Sequence, residues 1–103
     1  MIIENKENIK KIIMKPSASC FCPLGQDWYK IDFNIEFIPK NYYPDYCDVQ
    51  TFILNNISKK ELTIEKAVDI LYNYLQMEYS PENITIQANV NIVQSHFPVI
   101  VIK

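Results

Sequence analysis

The amino-acid sequence predicts an α+β protein in which two helices cover one face of an antiparallel sheet of four strands. Two long stretches, residues 28–38 and 84–92, alternate apolar and polar side chains, which is the pattern of strands that bury one face. Two segments between them, residues 48–56 and 58–79, have apolar side chains at helical spacing. Strands at both ends of the chain and helices in the middle indicate that the helices pack on one face of the sheet.

The N-terminal part of the chain is the least clearly marked. The spacing of Ile9, Ile12 and Ile13 fits a short amphipathic helix, whereas KIIMKP also fits a strand that ends at Pro16. One further sheet strand is expected around residues 15–20, just upstream of the long strand that follows.

The connections and helix ends carry clearer signals. Pro44 makes the segment after the long strand a loop or the start of an edge strand. The second helix begins either at a capping box, Ser58 to Glu61, or one turn later at Thr63. Residues 80–81, Ser-Pro, end that helix. The chain then closes with the second long strand, a turn at QSH and a last strand in FPVIVIK.

Composition limits the organisation and the partners of the chain. With 103 residues, 49% of them hydrophobic and 21% charged, it is expected to form one globular domain over residues 1–103. A domain of this size buries a modest share of its surface, so self-association is expected. The net charge of −2 with dispersed lysines argues against nucleic acid as a direct partner.

The N-terminal residues and the cysteine count bear on the compartment. Charged side chains interrupt MIIENKENIKKIIMK throughout, so it reads as neither a signal peptide nor a membrane span. Three cysteines without a secretory signal indicate reduced thiols. A cytoplasmic protein that does not bind a membrane is therefore expected.

The segment SCFCPLGQDW concentrates the residues that could carry chemistry. Cys20 and Cys22 precede a turn with Gly25, the only glycine of the chain, and Asp27 follows it. A glycine there either supplies a positive φ or lets a ligand approach the backbone closely. The turn is expected to bring a thiol and the carboxyl to one small volume. Such a pair suits addition to an electrophilic carbon, with a thiolate as nucleophile and a carboxylic acid as proton donor.

A metal site is not expected from these residues. Zinc sites need four ligands at characteristic spacings, and only Cys47 and His96 remain to complete one with the two loop cysteines.

The stretch CPLGQDWYKIDFNIEFIP resembles the signature segment of the QueF family, the reductases of 7-cyano-7-deazaguanine in queuosine biosynthesis. The cysteine loop of that family also reads Cys-Pro, then Gly-Gln, then Asp and an aromatic residue. The resemblance covers residues 19–102 and implies a tunnelling fold, whose subunits form a homo-oligomeric barrel with sites at subunit interfaces. It also implies that a cysteine adds to the nitrile to give a covalent thioimide and that the aspartate donates a proton.

Carried over to this sequence, the resemblance makes Asp27 the proton donor and leaves two candidates for the nucleophile. Cys22 has the Cys-Pro context but lies five residues before Asp27, whereas Cys20 keeps the family spacing of seven residues. We favour Cys22 because the local turn fixes the direction of the thiol better than a residue count does.

The second signature of the family is altered in this chain. Where the family has Glu-Ser-Lys-Ser at the start of the first helix, the chain reads PDYCDVQTF. Asp45 or Asp48 is expected to hold the edge of the deazapurine, although both are also suitable helix N-caps. His96 is a candidate proton-transfer group at a subunit boundary. The missing lysine of this segment, and His96-Phe97-Pro98 in place of a Gly-Gly pair, weaken the match for binding NADPH.

Three functions follow from the resemblance. The first is an NADPH-dependent nitrile reductase. The second is a QueF-like enzyme that forms an amidine by adding ammonia to the same thioimide and needs no NADPH. The third belongs to another class, a purine-binding protein of the tunnelling fold without catalytic activity.

Overall fold

The computed structural model describes residues 1–91 and 97–103. The end of the second long strand at Ile92, the expected turn at QSH and the candidate His96 lie outside the described residues. In chain order the elements are β1 Ile2–Glu4, β2 Ile12–Met14, β3 Ser17–Cys22, β4 Asp27–Ile38, β5 Tyr42–Pro44, α1 Tyr46–Asn56, α2 Ile64–Tyr79, β6 Asn83–Val90 and β7 Val99–Ile102.

The main sheet is antiparallel, and its order is β2–β4–β6–β7 with β3 also paired to β4. β2 and β3 share one register along one edge of β4, because Met14 lies opposite Ile35 and Ser17 opposite Asp32. Proline has no N–H to donate, so Pro16, between the two strands, contributes only its carbonyl, which accepts the Phe33 N–H at 2.9 Å. The two short strands therefore fill one position of the predicted four-stranded sheet, and of the two alternatives for the N-terminal part the strand is confirmed.

One face of this sheet carries the core. The helix-facing residues of β4 and β6 and the inner stripes of both helices are buried together, which is the main source of stability of such a domain. They are Tyr29, Ile31, Phe33, Ile35 and Phe37 of β4, Ile84, Ile86, Ala88 and Val90 of β6, Val49 and Ile53 of α1, and Ala67, Val68, Leu71, Leu75 and Tyr79 of α2. The opposite face is polar and partly exposed along β4 and β6.

The start of α2 decides between the two predicted helix origins. The hydroxyl of Thr63 accepts a hydrogen bond from the Lys66 N–H at 3.2 Å and caps the helix, so the later origin is confirmed. The capping box at 58–61 is wrong because this segment runs along the outer edge of β3 instead. The Lys59 N–H donates to the Ser19 carbonyl at 2.6 Å, and the Phe21 N–H donates to the Lys60 carbonyl at 2.9 Å.

A second, two-stranded sheet joins β1 to β5. It makes residues 42–44 a strand and orders the start of the N-terminal segment. Each helix in the described part of the chain is too short or too polar to cross a membrane.

Candidate active site

The cysteine segment forms the β3–β4 hairpin. Cys22 is the register partner of Asp27, and the Gln26 N–H donates to the Cys22 carbonyl at 2.8 Å to close the turn between them. Directly opposite residues of an antiparallel pair project from the same face with Cβ atoms about 4.5–5.5 Å apart. The fold therefore brings the thiol of Cys22 and the carboxyl of Asp27 together.

Two roles are predicted for Gly25 in this turn, a positive φ or the close approach of a ligand. Its φ is not positive, and the left-handed residue is Gln26, with φ 51°. The first role is therefore wrong, because the chain reverses at Gln26, directly before β4, and the second stays a prediction. The Gly25 N–H instead donates to the Cys22 sulfur at 3.3 Å. A backbone donor thus faces the sulfur on one side of the turn.

The two candidate thiols are held very differently. Cys22 is partly exposed at the end of β3, whereas Cys20 is completely buried and donates its S–H to the Ile57 carbonyl at 3.3 Å. Burial raises the pKa of the Cys20 thiol, because an apolar surrounding disfavours the thiolate. In this arrangement Cys22 is accessible to a ligand and Cys20 is part of the core.

Asp27 is fixed at the start of β4. One of its carboxylate oxygens accepts the Trp28 N–H at 2.8 Å, and the side chain is partly exposed. Trp28 points to the opposite face of the hairpin, where its ring meets that of Phe21 edge to face at 5.5 Å. The Asp27 carboxyl is therefore oriented by its own strand and remains open on the Cys22 side.

Tyr29 and Glu65 are two further residues near this pair that the sequence does not predict as candidates. Tyr29, the register partner of Cys20, is buried, and its hydroxyl donates to the Leu62 carbonyl. Burial raises the pKa of the Tyr29 hydroxyl, and the nearby thiols and the carboxylate of Glu65 raise it further. Tyr29 stands in the alternating strand pattern and Glu65 on the outer face of α2. A buried aromatic residue with a polar tip two positions after Asp27 was the available signal.

Asp45 and Asp48 lie away from the hairpin within one chain. The Asp45 carboxylate caps α1 by accepting the Cys47 N–H at 2.9 Å, and Asp48, in the first turn, pairs with the amino group of Met1. The opposite end of α1 is the one that meets the cysteine hairpin, through the Ile57 carbonyl. A helix of 11 residues is about 16 Å long, so neither carboxylate is within hydrogen-bonding distance of the hairpin.

The groups that could hold a cofactor or metal are few. Lys59 and Lys60 are exposed, and their backbone is bonded to β3. Within residues 1–91 and 97–103, histidine, cysteine and acidic side chains do not gather in a group of three or more that could hold a metal ion.

Solved structures share this fold. The chain superposes on the crystal structure of an archaeosine synthase QueF-Like in the apo form with a TM-score of 0.77 and 12% identity, over 91% of this chain and 93% of that chain. It also superposes on a putative dihydroneopterin aldolase (FolB) from Vibrio cholerae with a TM-score of 0.71 and 15% identity, over 92% and 95% of the two chains. No protein-family model and no curated protein sequence matches the chain. The α+β tunnelling fold is confirmed, and the resemblance to QueF is confirmed at the level of the fold.

Proposed function

We propose that this chain is a tunnelling-fold enzyme that processes the nitrile of 7-cyano-7-deazaguanine through a thioimide at Cys22. The observation that carries the proposal is the direct pairing of Cys22 with Asp27 across a turn whose Gly25 N–H faces the sulfur. A nucleophile, an acid and a backbone donor thus converge on one position, as an addition without a leaving group requires.

The proposed addition uses one proton shared by Cys22 and Asp27. In the proposed reactive form, Cys22 is the thiolate and Asp27 carries the proton. The sulfur attacks the nitrile carbon, a carbon–sulfur bond forms and one carbon–nitrogen π bond breaks. The nitrogen then takes the proton of Asp27, which leaves a thioimide and a carboxylate. Cys20, the alternative nucleophile, is disfavoured because its thiol is buried and bonded to the Ile57 carbonyl.

Recognition of the substrate requires a carboxylate that accepts the N–H groups on the deazapurine edge. We assign this role to Glu65 of the same chain, an exposed carboxylate in the first turn of α2, because that helix begins directly after Leu62, whose N–H donates to the Phe21 carbonyl of β3. Asp45 and Asp48 can contribute only from a neighbouring copy, because α1 separates them from the hairpin of their own chain. We therefore propose a homo-oligomer with sites at subunit interfaces, in which His96 remains a candidate proton-transfer group.

The hairpin presents exposed side chains to such a neighbour. Leu24 in the turn is 84% exposed, and Trp28 at the start of β4 is 55% exposed. A second chain that meets this end of the sheet would cover the Cys22–Asp27 pair and exclude water from it.

Two forms of the reaction share the thioimide. In the reductase form, two NADPH molecules would each supply one hydride to the former nitrile carbon, and Cys22 would leave as the thiol between the two additions. Lys59 and Lys60 are the basic groups beside the hairpin that would pair with the phosphates of NADPH. In the amidine form, ammonia attacks the thioimide carbon, Cys22 leaves as the thiol, and no nicotinamide takes part. A catalytically inactive purine-binding protein would keep the pocket but release the nitrile unchanged.

The test supplies 7-cyano-7-deazaguanine with NADPH and, separately, with ammonium alone. Oxidation of two NADPH for each nitrile, dependent on Cys22, supports the reductase form, and an amidine formed without NADPH supports the second form. Recovery of unchanged nitrile from both reactions would contradict an enzymatic function. Cys47→Ala is the matched control, because Cys47 is exposed on α1 and should leave either activity unchanged.

A further inference from the structure

Tyr29 connects the cysteine hairpin to the start of α2, and the proposed reaction does not use it. It lies two residue pairs inward from Cys22 and Asp27, opposite Cys20, on the same face of the hairpin. Its side chain is 6% exposed, so its hydroxyl is a buried polar group that requires a partner.

The hydroxyl has two partners, the Cys20 thiol opposite it and a backbone carbonyl far away in the sequence. The Tyr29 hydroxyl donates to the carbonyl of Leu62, 33 residues later in the chain. The N–H of Leu62 donates in turn to the Phe21 carbonyl at 3.0 Å. Leu62 is thereby held from both sides, through its N–H by β3 and through its carbonyl by β4.

The residue after Leu62 is Thr63, the N-cap of α2. The hydrogen bonds that hold Leu62 therefore also position the first turn of the helix, which contains Glu65. Burial raises the pKa of Tyr29, so its hydroxyl keeps its proton and stays a donor at every pH where the protein would act.

We propose that Tyr29 is a positioning residue, which holds the first turn of α2, with Glu65, against Cys22 and Asp27 so that substrate binds with its nitrile at the sulfur. This inference rests on the proposed function. Tyr29 acts through Leu62 and does not itself contact the reacting atoms.

The test is Tyr29→Phe, which keeps the ring and removes only the hydroxyl. Tyr79→Phe is the matched control, because Tyr79 is 3% exposed and its hydroxyl lies 3.1 Å from that of Tyr74 at the other end of α2. Two readouts are needed: amide hydrogen exchange of residues 62–67, and the rate of adduct formation at Cys22 as a function of 7-cyano-7-deazaguanine concentration.

For Tyr29→Phe we expect faster exchange confined to residues 62–67, by about fivefold, the effect of one lost hydrogen bond. We also expect a half-saturating substrate concentration raised by a similar factor, with the limiting rate of adduct formation kept within about twofold. Tyr79→Phe should change neither the exchange of residues 62–67 nor the half-saturating concentration.

If amide exchange at residues 62–67 is unchanged in Tyr29→Phe, the inference is overturned. It is also overturned if exchange is faster in Tyr29→Phe but the half-saturating substrate concentration is unchanged. If the parent protein forms no adduct at all, the proposed function fails. The exchange measurement still decides whether Tyr29 holds the start of α2, so the two failures are distinguishable.

Discussion

At the scale of single residues, the chemistry depends on how differently Cys20 and Cys22 are held. They lie two positions apart on one strand and face the same side, yet one is completely buried and the other is partly exposed next to Asp27. A thiol is a nucleophile only as a thiolate, and burial disfavours that form at Cys20, so we expect Cys22 to be the reactive cysteine.

Replacement of Asp27 tests its role as proton donor. Asp27→Asn keeps the shape of the side chain but cannot deliver a proton to the nitrile nitrogen, so adduct formation should slow by about 10²–10⁴-fold while substrate still binds. Stopped reactions analysed by intact-protein mass give the rate. Asp32→Asn is the matched control, because Asp32 lies on β4 with its side chain on the opposite face. A rate for Asp27→Asn within a few-fold of the parent would remove Asp27 from the mechanism.

The residues of this site differ in how far the sequence predicts them. The pairing of Cys22 with Asp27 follows from a short turn, which is local information. The positive φ falls on Gln26 although Gly25 is adjacent, because the closing bond of the turn and the start of β4 decide where the chain reverses. The bond from Tyr29 to Leu62 joins residues 33 positions apart, and no local pattern encodes it.

At the scale of elements, the spacing of apolar residues predicts a helix or a strand where the element is long. The stripe of α2 and the alternation of β4 were each predicted from their own residues, and both are confirmed. The short strands β1 and β5 are three residues each and exist through their mutual pairing, which the sequence of either alone cannot show. Likewise, residues 58–61 have the form of a capping box, but bonds to β3 draw this segment along the sheet edge.

The origin of α2 gives a direct test of this element. Thr63→Ala should lower the free energy of unfolding by about 1 kcal/mol, because the Lys66 N–H loses its acceptor. Ser58→Ala, at the alternative origin, should change it by less than about 0.5 kcal/mol. Urea denaturation measures both variants. An equal or larger loss in Ser58→Ala would mean that the helix begins earlier than the structure has it.

The contact between α2 and the end of the chain after β7 predicts that the stability of the protein depends on pH. Lys103 Nζ lies 2.6 Å from a carboxylate oxygen of Asp69, and this hydrogen bond and charge hold the pKa of Asp69 below its usual value. A carboxyl with a lowered folded pKa stabilises the protein above its unfolded pKa, and this contribution is lost as the pH falls through the folded value.

Asp69→Asn should therefore melt slightly below the parent protein near about pH 7, and the difference should shrink along a series of pH values that descends through the ordinary aspartate pKa of about 4. Thermal melts along this series check this expectation, with Gln76→Ala as the control, because Gln76 is an exposed, uncharged residue of the same helix. A difference that persists at low pH would show that Asp69 acts through packing and not through its charge.

At the scale of the whole molecule, the sheet has two edges available for a neighbouring copy. Residues 59–62 already cover the outer edge of β3, so among the described strands β2 and β7 are the open ones. On the polar face of the sheet, each of these strands carries exposed isoleucines: Ile13 on β2 is 54% exposed, and Ile100 and Ile102 on β7 are 60% and 64% exposed. Pairing of β2 with β7 of a second chain would bury them together and close the sheets into a barrel.

This assembly predicts a monodisperse oligomer at micromolar concentration. Ile13→Lys and Ile100→Lys should each produce smaller species, because a buried unpaired lysine opposes the contact. Leu54→Lys is the control, since Leu54 is 56% exposed on α1 and lies on neither strand. Light scattering measures the size of each species. A monomeric parent protein would contradict the barrel and, with it, the placement of Asp45 and Asp48 in a shared site.

The most direct test of the central claim is the mass of the protein after incubation with 7-cyano-7-deazaguanine alone, followed by peptide mapping. We expect the mass of the parent to rise by that of one nitrile molecule, carried on the peptide that contains Cys22, and no increase in Cys22→Ala. Because Cys20 is on the same peptide, Cys20→Ala separates the two thiols and should keep the adduct. An adduct that survives in Cys22→Ala and disappears in Cys20→Ala, or a parent protein that gains no mass, would contradict a thioimide at Cys22.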